Sequence, residues 1–208
     1  MKFMKGSLLS TIFLLLTLVV LNNSYALTLS ASASGELIPG TATYPNTVTN
    51  GDFMITGNHI ATLVGNGIDE YTTWVFDFTS DTDYGAFSAT DTLTSAWLTL
   101  TLTPKTGLIT TDSMRINGLP VITDIIQSLA VGVTTTIEFE LLTYYTSDQI
   151  MGEFASSVLG EIGMFYQDDA ILSFASLDLT TAPVPEPATM LLFGLGILGL
   201  AGVSRKNI

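Results

Sequence analysis

The sequence predicts a mainly β protein, an antiparallel β-sandwich of jelly-roll-like form with one or two short helices. Three observations lead to this fold class. Apolar and polar residues alternate in several short segments, as they do in strands with one wet face. Gly, Asp, Asn and Pro residues separate these segments. Mainly apolar segments at both ends add an N-terminal signal peptide and a C-terminal transmembrane helix to the prediction.

The composition excludes several classes of protein. The chain has 208 residues, no Cys and a single His, which excludes disulfide scaffolds, thiol nucleophiles and multi-His metal sites. Its net charge of −13 argues against nucleic acid as a partner, because phosphate binding needs a basic surface. The hydrophobic fraction of 47% excludes a disordered chain.

Residues 1–26 are predicted to be a secretory signal peptide. Two early lysines precede an apolar stretch over residues 8–21. The small residues Ser24 and Ala26 then stand at the two positions that a signal peptidase reads. We therefore expect export by the Sec route and cleavage after Ala26. The alternative is a retained N-terminal anchor.

Residues 27–182 are the predicted acidic β domain. They contain all acidic residues except Glu186, and of the six basic residues only Lys105 and Arg115, so the domain has 18 acidic and 2 basic residues and a formal charge of −16. Period-two alternation predicts strands, and Asp168-Asp169 predicts the turn of a hairpin. The strongest strand segments are 74–78, 98–102, 137–141, 163–167 and 170–179, and the weaker ones are 59–64 and 113–117.

Two segments of this domain are candidates for helices. Residues 149–158 carry apolar side chains at near-helical spacing, with Ser147 or Asp148 as the predicted N-cap and Gly160 as the stop. Residues 122–129 are the second, shorter candidate.

The C-terminal residues 183–208 contain three parts in order. Pro185-Glu186-Pro187 holds the backbone extended and unable to join a helix. Residues 188–203 are apolar on all faces, which predicts a transmembrane segment rather than a buried core helix. Arg205 and Lys206 follow this segment, as basic residues follow a stop-transfer helix.

This tail resembles the PEP-CTERM sorting signal of Gram-negative bacteria. The resemblance implies that an exosortase recognises the precursor and cleaves it near Pro185-Glu186-Pro187, while the inner membrane holds it transiently. It also implies delivery to the cell surface or to the exopolysaccharide matrix of a biofilm. It leaves the role of the β domain open.

The segment containing Asp81, Asp83 and Asp91 is a candidate calcium site, because closely spaced carboxylates on a tight turn suit Ca²⁺. The EF-hand pattern fails, since the twelfth position counted from Asp81 is Thr92 and not Glu. The alternative is a solvated acidic turn. Apart from this ion, no cofactor is predicted.

Trp97 is a candidate for stacking on carbohydrate. If the leucines at 98, 100 and 102 face the core, Trp97 points outward with the threonines of the same strand. An exposed indole can stack on a sugar ring through its apolar body. The alternative is that Trp97 packs under a loop or against a second sheet.

Candidate catalytic groups do not converge in the sequence. Glu138 and Glu140 have a spacing that overlaps that of glycosidase carboxylates, but any alternate pair on a strand has it. His59 has no nucleophile elbow to serve. We therefore predict an exported, non-enzymatic surface or matrix protein. The alternative is a carbohydrate- or calcium-binding module of the matrix, and a secreted hydrolase is third.

Overall fold

The computed structural model describes residues 26–87, 91–106, 112–123, 129–156 and 160–183, together with residue 194. Leu27–Ala182 form one compact unit. Outside the described residues lie most of the predicted signal peptide, including Ser24, most of the predicted transmembrane segment 188–203, and the tail residues Pro185, Glu186, Pro187, Arg205 and Lys206. Within the described ranges, no helix is long and apolar enough to cross a membrane.

Strands dominate the compact unit, and they are numbered here in chain order. The four-stranded sheet has the order β1-β12-β7-β10, with β1 Thr28–Ser34, β12 Ala170–Thr181, β7 Leu93–Pro104 and β10 Thr135–Glu140. The six-stranded sheet has the order β3-β4-β6-β11-β8-β9, with β3 Thr47–Asn50, β4 Phe53–Gly57, β6 Glu70–Asp77, β11 Glu161–Asp168, β8 Ser113–Ile116 and β9 Ile122–Thr123. A small third sheet pairs β2 Ala42–Thr43 with β5 Leu63–Val64.

The predicted fold class is confirmed at the level of a mainly β protein with antiparallel sheets and one helix. The strand pairs in all three sheets are antiparallel. The helix α1 covers Ser147–Ser156, and a 3-10 helix covers Leu141–Thr143. Of the second candidate helix, Ile122–Thr123 instead form β9, and residues 124–128 are outside the described part. The jelly-roll-like assignment stays a prediction.

The hydrophobic core lies between the two larger sheets, as period-two alternation requires. Leu98, Leu100 and Leu102 of β7 are fully buried and belong to the same cluster as Phe53 and Trp74 of the facing sheet. Burying one such side chain contributes about 1.5–3 kcal/mol to the free energy of unfolding. The polar residues of β7 therefore lie on the opposite, outer face of the four-stranded sheet.

The predicted hairpin around Asp168-Asp169 is wrong. Strand β11 pairs with β6 and β8 in one sheet, whereas β12 pairs with β1 and β7 in the other. The connecting residue Asp169 is buried, and its carboxylate accepts hydrogen bonds from the backbone N–H of Asp69 (2.8 Å) and from the hydroxyl of Thr106 (2.5 Å). These bonds hold the chain where it crosses between the sheets. Alternation alone predicts two strands here but does not show which strands they pair with.

Helix α1 begins with a capping box that differs from the predicted cap. The hydroxyl of Thr146 accepts a hydrogen bond from the Gln149 N–H (3.2 Å), and the Gln149 side chain accepts one from the Thr146 N–H (2.9 Å). This reciprocal pair satisfies two free donors at the helix start. Ser147, one of the two predicted caps, instead accepts a hydrogen bond from the backbone N–H of Leu93 (2.8 Å).

The two ends of the compact unit lie side by side. Strand β1 pairs with β12 along its whole length, so that Thr28 is opposite Thr180. Beyond this pair, the Thr181 N–H donates to the Leu27 carbonyl oxygen (2.9 Å), and the Leu27 N–H donates to the Thr181 hydroxyl (3.1 Å). The first and last strands of the unit therefore stabilise one another.

Candidate functional site

The outer face of the four-stranded sheet is built mainly from small hydroxyl residues. Alternation places every second side chain of its strands on this face. The register aligns these side chains across β1, β12, β7 and β10. They are Thr28, Ser30, Ser32 and Ser34 on β1; Phe174, Ser176, Asp178 and Thr180 on β12; Ser95, Trp97, Thr99 and Thr101 on β7; and Thr136, Glu138 and Glu140 on β10. Small side chains therefore predominate on this face, and its two aromatic residues are the exposed Trp97 and the half-buried Phe174.

Trp97 faces outward, as the leucine alternation predicted. Its side chain is 45% exposed, whereas its neighbours Ala96 and Leu98 are fully buried. In the sheet register, Trp97 lies opposite Asp178 on β12 and opposite Glu140 on β10. Directly opposed side chains in antiparallel pairs have Cβ atoms about 4.5–5.5 Å apart. The indole ring is therefore flanked by a carboxylate residue on each side.

Glu140 is held in place by the backbone around it. Its carboxylate oxygen Oε1 accepts hydrogen bonds from the Ala96 N–H (2.8 Å) and from the Leu142 N–H (3.2 Å). The second of these bonds caps the 3-10 helix that follows β10. Glu140 thus has a structural task, and its negative charge is fixed beside Trp97.

Hydroxyl groups on this face bond to one another across strands. The pairs are Thr28 with Thr180 (3.2 Å) and Thr101 with Thr136 (2.8 Å), and Thr103 and Thr134 form a third at the end of β7 (2.8 Å). Such pairs contribute about 0.2–1 kcal/mol each relative to alanine pairs. They also keep the hydroxyl groups close to the sheet, which leaves Trp97 accessible above them.

Four tyrosines of the domain do not join Trp97 in one exposed row. Tyr145 is buried and donates a hydrogen bond to the Pro120 carbonyl oxygen (2.7 Å), and burial raises the pKa of its phenol. Tyr84 packs against Phe154 of helix α1. Tyr71 lies on β6, in the other sheet, and Tyr144 follows the 3-10 helix. The half-buried Phe174 is the other aromatic residue that the register places on the Trp97 face.

In the acidic turn, one of the three predicted calcium ligands, Asp81, has a structural role through its carboxylate. Asp81 accepts a hydrogen bond from the Ser30 N–H of edge strand β1 (2.9 Å) through one oxygen and from the Asp83 N–H (2.8 Å) through the other. Asp91 stands at the far end of the turn, beyond residues 88–90, which are not described. In the described part of the chain, no group of three Asp, Glu or His side chains is placed to hold a metal ion. The calcium site therefore stays a prediction without structural support.

His59 lies between β4 and β5, whereas Glu138 lies on β10 of the four-stranded sheet. His59 is exposed in the turn before β5, where its neighbour Asn58 accepts a hydrogen bond from the Ile60 N–H (2.8 Å). Glu138 is exposed on β10, opposite Thr99. Neither arrangement indicates acid–base chemistry.

A second aromatic group, which no sequence pattern indicated, lies on the outer face of the six-stranded sheet. The guanidinium carbon of Arg115 lies 4.8 Å from the centroid of the Phe165 ring, and the Phe165 and Tyr71 ring centroids are 5.6 Å apart. The Arg115 Nε is buried without a hydrogen-bond partner among the described residues. Arg115 and Phe165 become neighbours only through the pairing of β8 with β11, which no local pattern predicts.

The sorting tail belongs to a known family of motifs. The family model of the PEP-CTERM protein-sorting motif matches residues 183–206, directly after the antiparallel β-sandwich with its hydroxyl-rich outer face, and this match confirms the resemblance of the tail. A comparison with curated proteins finds no match.

Three solved structures are similar to the chain at low TM-scores. A family two carbohydrate esterase from Cellvibrio japonicus is 15% identical, with a TM-score of 0.30 and coverage of 78% of this chain and 36% of that chain. A GH26-CBM35 beta-(1,4)-mannanase from Podospora anserina is 12% identical, with a TM-score of 0.31 and coverage of 73% and 29%. The CBM35 of Abf62 from Cellvibrio japonicus is 13% identical, with a TM-score of 0.27 and coverage of 77% and 95%. The chain spans about a third of the first two structures.

Proposed function

We propose that this chain is an exported, non-enzymatic protein of the cell surface or the exopolysaccharide matrix, and that its β-sandwich is the passenger of the sorting tail. The observation that carries the proposal is the PEP-CTERM motif at residues 183–206, which begins two residues after β12 ends at Thr181. The motif implies export and an exosortase-processed, membrane-anchored precursor. The last strand of the sandwich therefore ends before the motif starts.

The paired ends of the sandwich support processing at both sides. Signal peptidase cleavage after Ala26 would leave β1 intact, because this strand begins at Thr28. Exosortase cleavage near Pro185-Glu186-Pro187 would leave β12 intact, because that strand ends at Thr181. Removal of both ends would therefore leave the strand pairs of the sandwich intact.

The acidic domain suits a location outside the cell. With 18 acidic and 2 basic residues, the passenger has a high net charge, which keeps such domains soluble and apart from one another. The non-enzymatic part of the proposal is supported by the positions of two candidate catalytic groups, since Glu140 caps a 3-10 helix and His59 lies in an exposed turn.

The processing step can be tested by mass spectrometry of the surface and culture fractions of expressing cells. We expect a mature protein that begins at Leu27 and ends near Pro185-Glu186-Pro187. Glu186→Gln, or deletion of Arg205 and Lys206, should leave the C-terminus uncleaved and the protein in the membrane fraction. The matched control is Glu36→Gln, which changes an exposed residue of the sandwich and should be processed normally. An unchanged mature mass in the Glu186→Gln variant would contradict the proposal.

A second candidate function is carbohydrate binding by the passenger, and the exposure of Trp97 favours it. An indole that is 45% exposed on a hydroxyl-rich sheet face can stack on a sugar ring without rearrangement of the backbone. Exopolysaccharide would then be the partner of the mature protein. The two functions are compatible, because export by way of the tail would bring the domain to the exopolysaccharide that its sheet face would bind.

A further inference from the structure

The Trp97 face has a charge pattern that restricts which sugars it can accept. Across the four strands, one row of side chains reads Ser30, Asp178, Trp97 and Glu140. At the outer edge of this row, the Asp81 carboxylate binds the Ser30 N–H (2.9 Å). Because neighbouring strands are about 4.8 Å apart, the row spans about 15 Å and contains an acidic residue on each side of the indole.

Neither basic side chain of the domain lies in this row. Arg115 belongs to β8 of the six-stranded sheet, where its guanidinium covers the Phe165 ring. Lys105 follows the end of β7, beside Gly67. Glu138, which is exposed on β10, adds one more negative charge to the same face.

We propose that the Trp97 face binds glycans that carry free, protonated amino groups. An ammonium group over the indole gains cation–π attraction, and the flanking carboxylates of Asp178 and Glu140 add direct charge pairing. The formal charge of −16 attracts a cationic polymer to the domain and repels one that carries carboxylate or sulfate groups. The row therefore selects amine-bearing sugars over neutral and acidic ones.

The carboxylate of Glu140 is preorganised for binding a cation. Two backbone N–H groups fix its carboxylate, so that little side-chain freedom is lost on binding. The Ser and Thr side chains around the row are short enough for an extended sugar chain to lie across the strands. This inference rests on the proposed carbohydrate-binding role, and it adds the chemical class of the ligand.

Calorimetric titration of the detergent-solubilised full chain tests the inference with two matched ligands. One is the hexamer of β-1,4-linked glucosamine, and the other is the hexamer of N-acetylglucosamine, which has the same backbone without the charge. We expect the free-amine hexamer to bind about tenfold more tightly than the acetylated one, which is the size of a favourable cation–π contact. Its affinity should fall as NaCl is added, because salt screens charge attraction at exposed sites.

Variants then locate the site. Trp97→Ala should lower the affinity for the free-amine hexamer about tenfold, and Asp178→Asn should lower it severalfold. Met54→Ala and Asp77→Asn are the matched controls on the outer face of the other sheet, where both side chains are exposed, and they should leave the affinity unchanged. Thermal unfolding of each variant verifies that the sheet is intact.

Each alternative outcome has a distinct meaning. Equal binding of both hexamers that is lost in Trp97→Ala would overturn the amine selectivity and leave carbohydrate binding in place. Binding of the free-amine hexamer that Trp97→Ala and Asp178→Asn leave unchanged would overturn the site. Binding of neither hexamer would overturn the inference together with the carbohydrate-binding role, whereas the surface-protein proposal would still be decided by the processing assay.

Discussion

Glu70 shows how one buried carboxylate organises the loop before it. Its Oε1 atom accepts the N–H groups of Gly65 (2.5 Å) and Asn66 (2.9 Å), and its Oε2 atom accepts the N–H of Gly67 (3.0 Å). Gly65 and Gly67 have φ angles of +94° and +77°, a region that glycine adopts without strain, which lets their N–H groups converge. Burial raises the pKa of Glu70 despite these bonds, and the nearby charge of Asp169 raises it further.

Glu70→Gln should lower the free energy of unfolding by about 1–3 kcal/mol, which is the cost of a buried donor left without an acceptor. The amide group has one oxygen where the carboxylate has two, so that its NH₂ group would face a backbone N–H. Chemical denaturation at neutral pH measures the difference. Glu36→Gln, at an exposed position, is the control and should change stability by less than about 0.5 kcal/mol.

Glu70→Gln should also change how the stability of the protein depends on pH, and the sign of this change follows from the pKa of Glu70. Because the pKa of Glu70 is raised in the folded state, the folded protein holds this proton more tightly than the unfolded chain. The contribution of this proton to the free energy of unfolding is therefore greatest at acidic pH, and it is lost as the pH rises through the raised pKa of Glu70. Asp77, whose pKa is lowered by hydrogen bonds from Thr79, acts in the opposite direction in both proteins and cancels in the comparison. Identical pH profiles of wild type and Glu70→Gln would contradict this assignment.

At the level of elements, the alternation of apolar and polar residues predicted which face of a strand is buried better than it predicted which strands pair. Strand β7 was predictable, because its buried leucines alternate with the exposed Trp97 and the half-buried Thr99 and Thr101, and its orientation followed from that pattern. The assignment of β11 and β12 to different sheets was not predictable, because one residue, Asp169, separates them as tightly as a hairpin turn would. The Arg115 stack was missed for the same reason, since its neighbours come from strands distant in sequence.

Helix α1 and the segment that follows it offer a paired test with glycine. Gly160 has a φ angle of +83°, and a Cβ atom there would overlap the ring of Tyr84. Gly160→Ala should therefore destabilise the protein by about 1–3 kcal/mol, the cost of a strained backbone position. Gly152 lies inside α1 with open space where a methyl group would stand, so that Gly152→Ala should stabilise the protein by up to about 1 kcal/mol through helix propensity.

Opposite signs for these two substitutions, measured by thermal unfolding, are the expected result. A shared sign would show that the space around Gly160, or the helical state of Gly152, differs from the structure. The comparison is matched because both changes add a single methyl group to residues eight positions apart.

At the level of the whole molecule, the charge of −16 is a cost to the compact state as well as a source of solubility. Eighteen acidic residues share one unit with two basic ones, and one of these two, Arg115, stacks on an aromatic ring. Mutual repulsion between the carboxylates favours expansion of the chain. The fold tolerates this repulsion because its core is continuous between two sheets and its first and last strands are paired.

Added salt should therefore stabilise this protein. Raising NaCl from 0.01 M to 0.15 M shortens the Debye length from about 30 Å to about 8 Å, which screens repulsion between exposed carboxylates. We expect the melting temperature to rise over this range and to rise less in a variant that combines Glu36→Gln with Asp148→Asn, two exposed positions where negative charge is removed. A melting temperature that stays constant or falls with salt would show that local attractions of the carboxylates, such as those of Asp81 and Glu140 to backbone N–H groups, outweigh their mutual repulsion.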